Sequence, residues 1–431
     1  MKIAFLTPGA GNMYCGGCLH DGTLVAALNK LGHNAIILPL YLPLKLEDST
    51  DDTPLFFNGV NVYLDQKSAL FRLLPCPIRR LFSSKQLLKI ASALSSTTDA
   101  DSVGDIAVSM LQGEEGKQSR ELEELVGWLE KNFKPDLVCI SNSLLIGMAK
   151  KIRERLKCPI VCQFQGEDTY ISSMPSIYRS MVWSLIEEKT KDVDLFIVPS
   201  RYASTALKRH VLLTNEKIKV VYNGINTEEF QNVSGLHKSD KEPTVIGYFA
   251  RMCEGKGLHL LIDAFLELKN RNGSRKLKLE IGGTLLPKDG KYVNNLKQKI
   301  EYAGYLDDVE FHPNVGKKEK INFYNSIDIF CVPAVYSEVF GLYTIEAMAA
   351  GVPLVLPRHG SFVEIVEETS TGILYAPNTL EHLYDALNKI IIYKTIYSNY
   401  QKTCIPVARQ RFDSLVMAKN FISAIEPLVK I

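Results

Sequence analysis

The stretch SEVFGLYTIEAMAAGVPLVLP, Ser337 to Pro357, carries one charge between Val339 and Pro357, at Glu346. The strand DIFCVP ends just before it. A loop follows, then a helix from about Gly341 to Ala350, Gly351 as its cap, and the apolar strand VPLVLP. The order is β-loop-α-β, the unit of parallel sheets covered by helices. A helix apolar all round is a buried helix, so Glu346 is a carboxylate in a buried place. That costs several kcal/mol, roughly the penalty of a desolvated ion, unless it is paired or binds something. Sugar or ribose hydroxyls would satisfy it; so would a structural Arg or Lys. Glu338 stands just ahead of the same helix. The helix N-terminus, where Gly341 allows close approach, suits a phosphate.

The same layout occurs twice more. Near the N-terminus it runs from KIAFLTP through a Gly-rich loop and the helix HDGTLVAALNKLGH to NAIILPL. Past the middle it runs from TVIGYFA through RMCEGKG and LHLLIDAFLELKNRNG to KLKLEIGG. Further strands are expected at VNVYL, DLVCIS, PIVCQF, DLFIVPS and IKVVYNG in the first half. VEFHP, SIDIFCVP, VPLVLP and TGILYA serve the second. ELEELVGWLEKNF places Leu122, Leu125, Val126 and Leu129 on one helix face. With 431 residues the chain is too long for one ordinary core. Two Rossmann-like α/β domains are therefore expected, at 1–225 and 243–410, joined by the polar TEEFQNVSGLHKSDKEP. The amphipathic last helix, about 412–431, can pack on either domain, including back on the first. Ligands of open α/β sheets bind beyond the carboxyl ends of the strands, which points to the cleft between the domains.

Composition narrows the partners. Lys+Arg 50 against Asp+Glu 48 gives a net charge of +2 and no reason to expect nucleic acid. IAFL after Met1-Lys2 is too short for a signal segment. No apolar run approaches the roughly 20 residues of a membrane span. Nine cysteines, several within strands (Cys139, Cys162, Cys331), read as reduced small hydrophobes in a cytoplasmic protein. From 67 to 90 the chain is basic and apolar. It reads as helices packed on the first domain with a solvated basic face. The other reading is weak contact with an anionic membrane, peripheral at its inner face, or with a phosphorylated acceptor.

Three loops carry candidate chemistry. ARMCEGKG fails as a Walker loop, because Ala250 and Gly257 replace the first Gly and the hydroxyl residue. It leaves Arg251 and Lys256 at one strand end, either as two cations for a diphosphate or as two solvated surface charges. TPGAGNMYCGGC is not a dinucleotide fingerprint: Tyr14 takes the third Gly position, and no acidic residue closes NAIILPLY. No cofactor is expected. Its Cys15 and Cys18 would need two more ligands for zinc, and the next cysteine along the chain is Cys76. A redox dithiol before a helix stays open, but the weight falls on Gly16 and Gly17, which make the loop thin. His20 is then a first-turn candidate, on the acceptor side if the chain is a transferase. In QGEDTY, Glu167 and Asp168 either contact a ligand or, for Asp168, cap a helix. Asp99-Ala100-Asp101 and Asp192-Val193-Asp194 form D-x-D patterns, too common by chance to assign a metal, and none is expected.

The second half resembles the retaining glycosyltransferases of GT-B architecture, family 4 (glycosyl transferases group 1). Glu338 and Glu346 match the family's E-x7-E motif. ARMCEGKG is similar to its Gly-Arg-x-x-x-x-Lys-Gly segment, with Ala250 for the Gly. GLYTIEAMAAGVPLV resembles its most repeated stretch, and VPSRYASTALKRH and IKVVYNGIN the end of its first domain. The resemblance is specific over 244–376 and looser before.

It implies a hexosyltransferase-type enzyme that moves a sugar from a nucleotide-diphosphate sugar, with retention and without a metal. The acceptor would be a sugar, a lipid-linked molecule or a small molecule. Arg251 and Lys256 would hold the diphosphate, Glu346 the ribose and Glu338 the donor sugar. The N–H groups of Phe340, Gly341 and Leu342 would meet the sugar or the β-phosphate. Gly16 and Gly17 would let the first domain approach the donor. Gln165 stands where the family commonly has His; it donates a hydrogen bond but cannot titrate near neutrality. Asn226 stands where Asp is usual. Two rival readings remain: a nucleotide-sugar epimerase of the same architecture, and a non-catalytic sugar-nucleotide-binding protein.

Overall fold

The computed structural model describes residues 1–9, 16–41, 100–230, 243–271 and 276–429. The strand expected at VNVYL, the basic stretch 67–90, Cys15, Asp99 and most of the proposed linker lie outside the described residues. The chain divides into two compact units, Met1–Tyr222 with Met417–Ile431, and Asn223–Val416.

The first unit holds six parallel strands: β1 (Lys2–Thr7), β2 (Asn34–Pro39), β3 (Leu137–Ile140), β4 (Ile160–Gln163), β5 (Leu195–Val198) and β6 (Ile218–Val220). Their order is β2-β1-β3-β4-β5-β6. The strands are continuous apolar runs because helices cover both faces: β3, β4 and β5 are buried at every residue. The chain leaves β1 toward β2 on one side and returns to β3 on the other, so the sheet's switch point lies between β1 and β3. The last helix, Ser414–Ile425, belongs to this core. Met417, Ala418, Phe421 and Ile425 pack with Ile3, Phe5, Leu24 and Leu28, and the rings of Phe5 and Phe421 lie 5.6 Å apart. It is separated at Asp413 from the helix Lys394–Phe412.

The second unit repeats the plan with β7 (Thr244–Phe249), β8 (Leu277–Gly283), β9 (Val309–Pro313), β10 (Ile329–Cys331), β11 (Leu354–Pro357) and β12 (Gly372–Tyr375). All pairs are parallel, in the order β12-β11-β10-β7-β8-β9. Its switch point lies between β7 and β10. The loops after those two strands carry ARMCEGKG and SEVFG. The helix expected from Gly341 to Ala350 spans Leu342–Ala349, with Thr344 to Ala349 all buried.

Two first-unit details differ from the sequence reading. The helix expected to open at His20 begins at Gly16, so Gly16 and Gly17 form its first turn rather than a loop, and His20 stands in the second turn. From Met13 to Leu19 no Ser, Thr, Asp or Asn marks a cap at that start. Asp168 is not an N-cap: Gly166 holds that position in the left-handed region at φ 101, and Asp168 lies within the helix Glu167–Ser172.

Candidate functional site

In the second unit the site residues come from strand ends around the β7/β10 switch point. Arg251 and Lys256 follow β7. Lys256 closes a tight turn, Glu254–Lys256, ended by Gly257 at φ 70. Only glycine fits there, since a Cβ would stand 1.8 Å from the Pro333 carbonyl oxygen. That close approach presses the β7 loop onto the β10 loop and brings Lys256 to Glu338. The two form an ion pair, with their side chains 14% and 9% exposed. The Lys256 ammonium also sits 4.8 Å from the Tyr336 ring centre and 5.4 Å from that of Tyr343. Burial disfavours the ammonium, but the charge of Glu338 and the phenol of Tyr336 outweigh it and raise the Lys256 pKa.

Arg251 is held from β8's side. Its Nε donates to Asp289 Oδ2 at 3.0 Å, and its Nη2 donates to Oδ2 at 2.9 Å and Oδ1 at 3.3 Å. Glu346 is 9% exposed and has a protein partner on each oxygen. Lys320 Nζ donates to Oε1 at 2.6 Å and Tyr324 hydroxyl to Oε2 at 2.9 Å. Lys320 and Tyr324 are four residues apart on one face of the helix Lys317–Ser326. Of the two ways to satisfy this carboxylate raised by the sequence, the structure shows the structural lysine. Phe340 is buried, and its carbonyl accepts from the Ser361 hydroxyl at 3.0 Å. Gly341, at φ 78, turns the chain into the helix that Leu342 opens. Arg251, Lys256, Glu338, Phe340, Gly341, Leu342 and Glu346 thus all lie in the second unit, on the loops after β7 and β10 and the helix that follows.

The sequence reading missed Asp289, Lys320, Tyr324, Tyr336, Tyr343 and His359. His359, after β11, bonds through Nε2 with the Ala334 carbonyl oxygen at 3.0 Å, and burial lowers its pKa. The usable signal was position: Asp289 and His359 follow strands by a few residues, at the end of the sheet where ligands bind.

In the first unit the acceptor-side candidates cluster at the carboxyl ends of β1, β3 and β4. Thr7 donates to Asp21 Oδ2 at 2.7 Å and meets the Ser141 hydroxyl at 3.1 Å. Gln165 donates to Gln163 Oε1 at 2.8 Å, and Gln163 shares a side-chain hydrogen bond with His20. Glu167 accepts from the Ser143 N–H at 3.1 Å and the Gln165 N–H at 2.8 Å, tying the loop after β3 to the loop after β4. Burial pushes the Glu167 carboxyl up to about 7, against backbone N–H groups that favour the ion. Burial lowers His20 to about 4, against the Gln163 hydrogen bond. His20 Nδ1, Ser143 Oγ and Asp168 Oδ1 are buried with no partner among the described residues. Gly16 and Gly17, one helical turn before His20, have nothing within 4 Å of an added Cβ. Cys18 is buried. Asp194 of the second D-x-D pattern bonds Arg153 at 2.7 Å and the Ile160 N–H at 2.8 Å, which makes it structural. Among the described residues no three His, Cys, Asp or Glu side chains gather as a metal site.

Two Rossmann-like sheets, with paired charges at the strand ends of the second, define a GT-B fold, and the comparisons with known proteins agree. The family of glycosyl transferases group 1 matches residues 229–411, and glycosyltransferase family 4 matches 110–229. The chain belongs to this glycosyltransferase family. It is 27% identical over 186 residues to mannosylfructose-phosphate synthase of Agrobacterium fabrum, covering 43% of this chain and 41% of that protein. It is 29% identical over 209 residues to D-inositol 3-phosphate glycosyltransferase of Corynebacterium jeikeium, covering 47% and 50%. These matches span about half the length of those relatives or less. Among solved structures, Anabaena HepE in complex with UDP and glucose is similar in fold, with a TM-score of 0.71 and 18% identity over 99% of this chain and 100% of that one. No helix among the described residues is long and apolar enough to cross a membrane.

Proposed function

We propose that this protein transfers a hexose from a nucleotide-diphosphate sugar to an acceptor hydroxyl, with retention of configuration. The observation that carries the reading is the buried Lys256 beside Glu338 at the β7/β10 switch point, with Arg251 at the same strand end. A leaving nucleoside diphosphate gains negative charge as the sugar departs. Arg251, Lys256 and the N-terminus of the Leu342–Ala349 helix would stabilise it, with no metal required. Glu338 would accept hydrogen bonds from the donor sugar, and Glu346 from the ribose. The backbone at Phe340, Gly341 and Leu342 would meet the sugar or β-phosphate, and Gly16 and Gly17 would leave room for the donor. HepE's complex with UDP and glucose supports a nucleoside diphosphate as the ligand.

The acceptor is read as a sugar, a lipid-linked molecule or a small molecule, contacted through His20, Gln165, Glu167 and Asp168. Gln165 and a His20 held neutral supply hydrogen bonds rather than a proton at neutral pH. In this reading the leaving phosphate takes the acceptor's proton, so no protein nucleophile is assigned.

The test is a thermal-shift panel of UDP, GDP, ADP and their sugars, in buffer containing a chelator. A ligand at about 100 Kd adds roughly 2.7 kcal/mol of stability. One base should stand out, and incubation with its sugar should release the nucleoside diphosphate slowly by hydrolysis. A panel in which no compound stabilises the protein would sink the proposal.

A further inference from the structure

We propose that Asp289 is a positioning residue for the diphosphate, acting through Arg251. This rests on the reading of Arg251 as a phosphate ligand. Asp289 occupies the N-cap position of the helix Gly290–Tyr302, where an aspartate normally accepts from its own helix's N–H groups. Here its side chain makes no capping bond. Its carboxylate turns instead to Arg251 and takes the Nε and Nη2 edge of the guanidinium through three contacts of 2.9 to 3.3 Å.

The consequence is geometric. A guanidinium presents five N–H groups in a rigid plane. With one edge engaged, the plane and its direction are set. Nη1 carries no bond among the described residues, and the Arg251 side chain is 37% exposed while Asp289 is 14% exposed. The carboxylate is the less exposed partner and the anchor, and the outward edge of the guanidinium is left for an incoming anion. An unheld arginine would have to be ordered by the ligand, at a cost in rotamer freedom. Asp289 does that ordering in advance. Its own negative charge opposes a phosphate, but at a partly exposed site solvent screens that repulsion, and fixed orientation is the larger effect. The pair also joins the loop after β7 to the loop after β8, so two strand ends hold one cation.

The experiment is a double-mutant cycle read by calorimetry. The probe is whichever of UDP, GDP and ADP binds best, with the matching nucleoside as control. Asp289→Ala should weaken the nucleoside diphosphate roughly tenfold, the size of one lost charge-assisted hydrogen bond. It should leave the nucleoside unchanged. Asp289→Asn keeps one acceptor oxygen for Nε and should recover part of the loss. In an Arg251→Ala background, Asp289→Ala should have no further effect. The inference is overturned if Asp289→Ala leaves diphosphate binding unchanged or tightens it while Arg251 is present. It is equally overturned if the loss is the same size in both backgrounds, since that is what damage to the helix start alone would give. If Arg251→Ala by itself binds the diphosphate like wild type, the phosphate-site reading fails first and takes the inference with it.

Discussion

Lys256 and Glu338, 82 positions apart in the chain, form a nearly dry ion pair between two aromatic rings. Each charge is tolerated because the other is there. Removing one leaves the other buried and uncompensated, which typically costs about 3–5 kcal/mol. Glu338→Gln and Lys256→Met should each lower unfolding stability on that order. The double variant should lose clearly less than their sum, because no lone charge remains. Urea unfolding of the four proteins measures this. Additive losses would show that the two side chains do not depend on each other.

His20 and Glu167 give the first unit two opposed pH dependences. The Glu167 carboxyl, raised from 4.5 to about 7, binds its proton more tightly when folded, so stability falls as pH rises between those values. His20, lowered from 6.5 to about 4, binds its proton less tightly when folded, so stability is lost as pH falls through that range. Each is worth on the order of 3 kcal/mol, and from pH 4.5 to 6.5 the slopes nearly cancel. Relative to wild type, Glu167→Gln should therefore gain stability as pH rises through this window. His20→Asn should lose it. Denaturant titrations at pH 5, 6 and 7 read both slopes. Difference curves that stay flat in both variants would contradict the assigned burial.

Gly17 separates fold from ligand. A Cβ there meets nothing within 4 Å, and the residue sits in the first turn of a helix. Gly17→Ala should leave stability unchanged or raise it by about 0.5–1 kcal/mol, the usual gain of Ala over Gly in a helix. If the donor approaches this turn, the same change should weaken nucleotide-sugar binding. Paired melting curves, with and without ligand, make the comparison. Unchanged ligand stabilisation would remove Gly16 and Gly17 from the donor site.

The parallel sheets were legible because their strands are unbroken apolar runs bounded by Gly and Pro, as in VPLVLP and DLVCIS. Short motif spacing also placed Arg251, Lys256 and Glu338 in loops after strands and Glu346 on the helix that follows. Their partners were not legible. Lys320 reaches Glu346 from a helix with seven polar or charged positions in KKEKINFYNS, any of which could face solvent. Asp289 reads as a helix cap, the ordinary use of Asp before a helix, and only the fold shows it turned to Arg251. The start of the first helix was hidden because glycine lowers helix propensity, and no Ser, Thr, Asp or Asn marks a cap there. Contacts between distant segments set these features, and local pattern does not encode them.

Glu346 can serve the fold, the ligand or both, and its two oxygens make the roles separable. Lys320 holds Oε1 and Tyr324 holds Oε2. An ionised carboxylate has about four acceptor sites, so two bonds leave capacity for ribose hydroxyls. Glu346→Gln keeps the shape but loses the charge that faces Lys320, so stability should fall by about 3 kcal/mol or more, as for other broken buried pairs. Tyr324→Phe removes only a neutral donor and should cost about 1–2 kcal/mol. Neither loss bears on ligand. The ligand role is read from discrimination: wild type should bind the preferred nucleoside diphosphate more tightly than its 2′-deoxy or 3′-deoxy analogue. Glu346→Gln should shrink that preference, while Tyr324→Phe keeps it. Calorimetry on the folded fraction gives both affinities for each variant. Equal discrimination in wild type and Glu346→Gln would make Glu346 a structural carboxylate alone, held by Lys320 and Tyr324 for the sake of the helix it stands on.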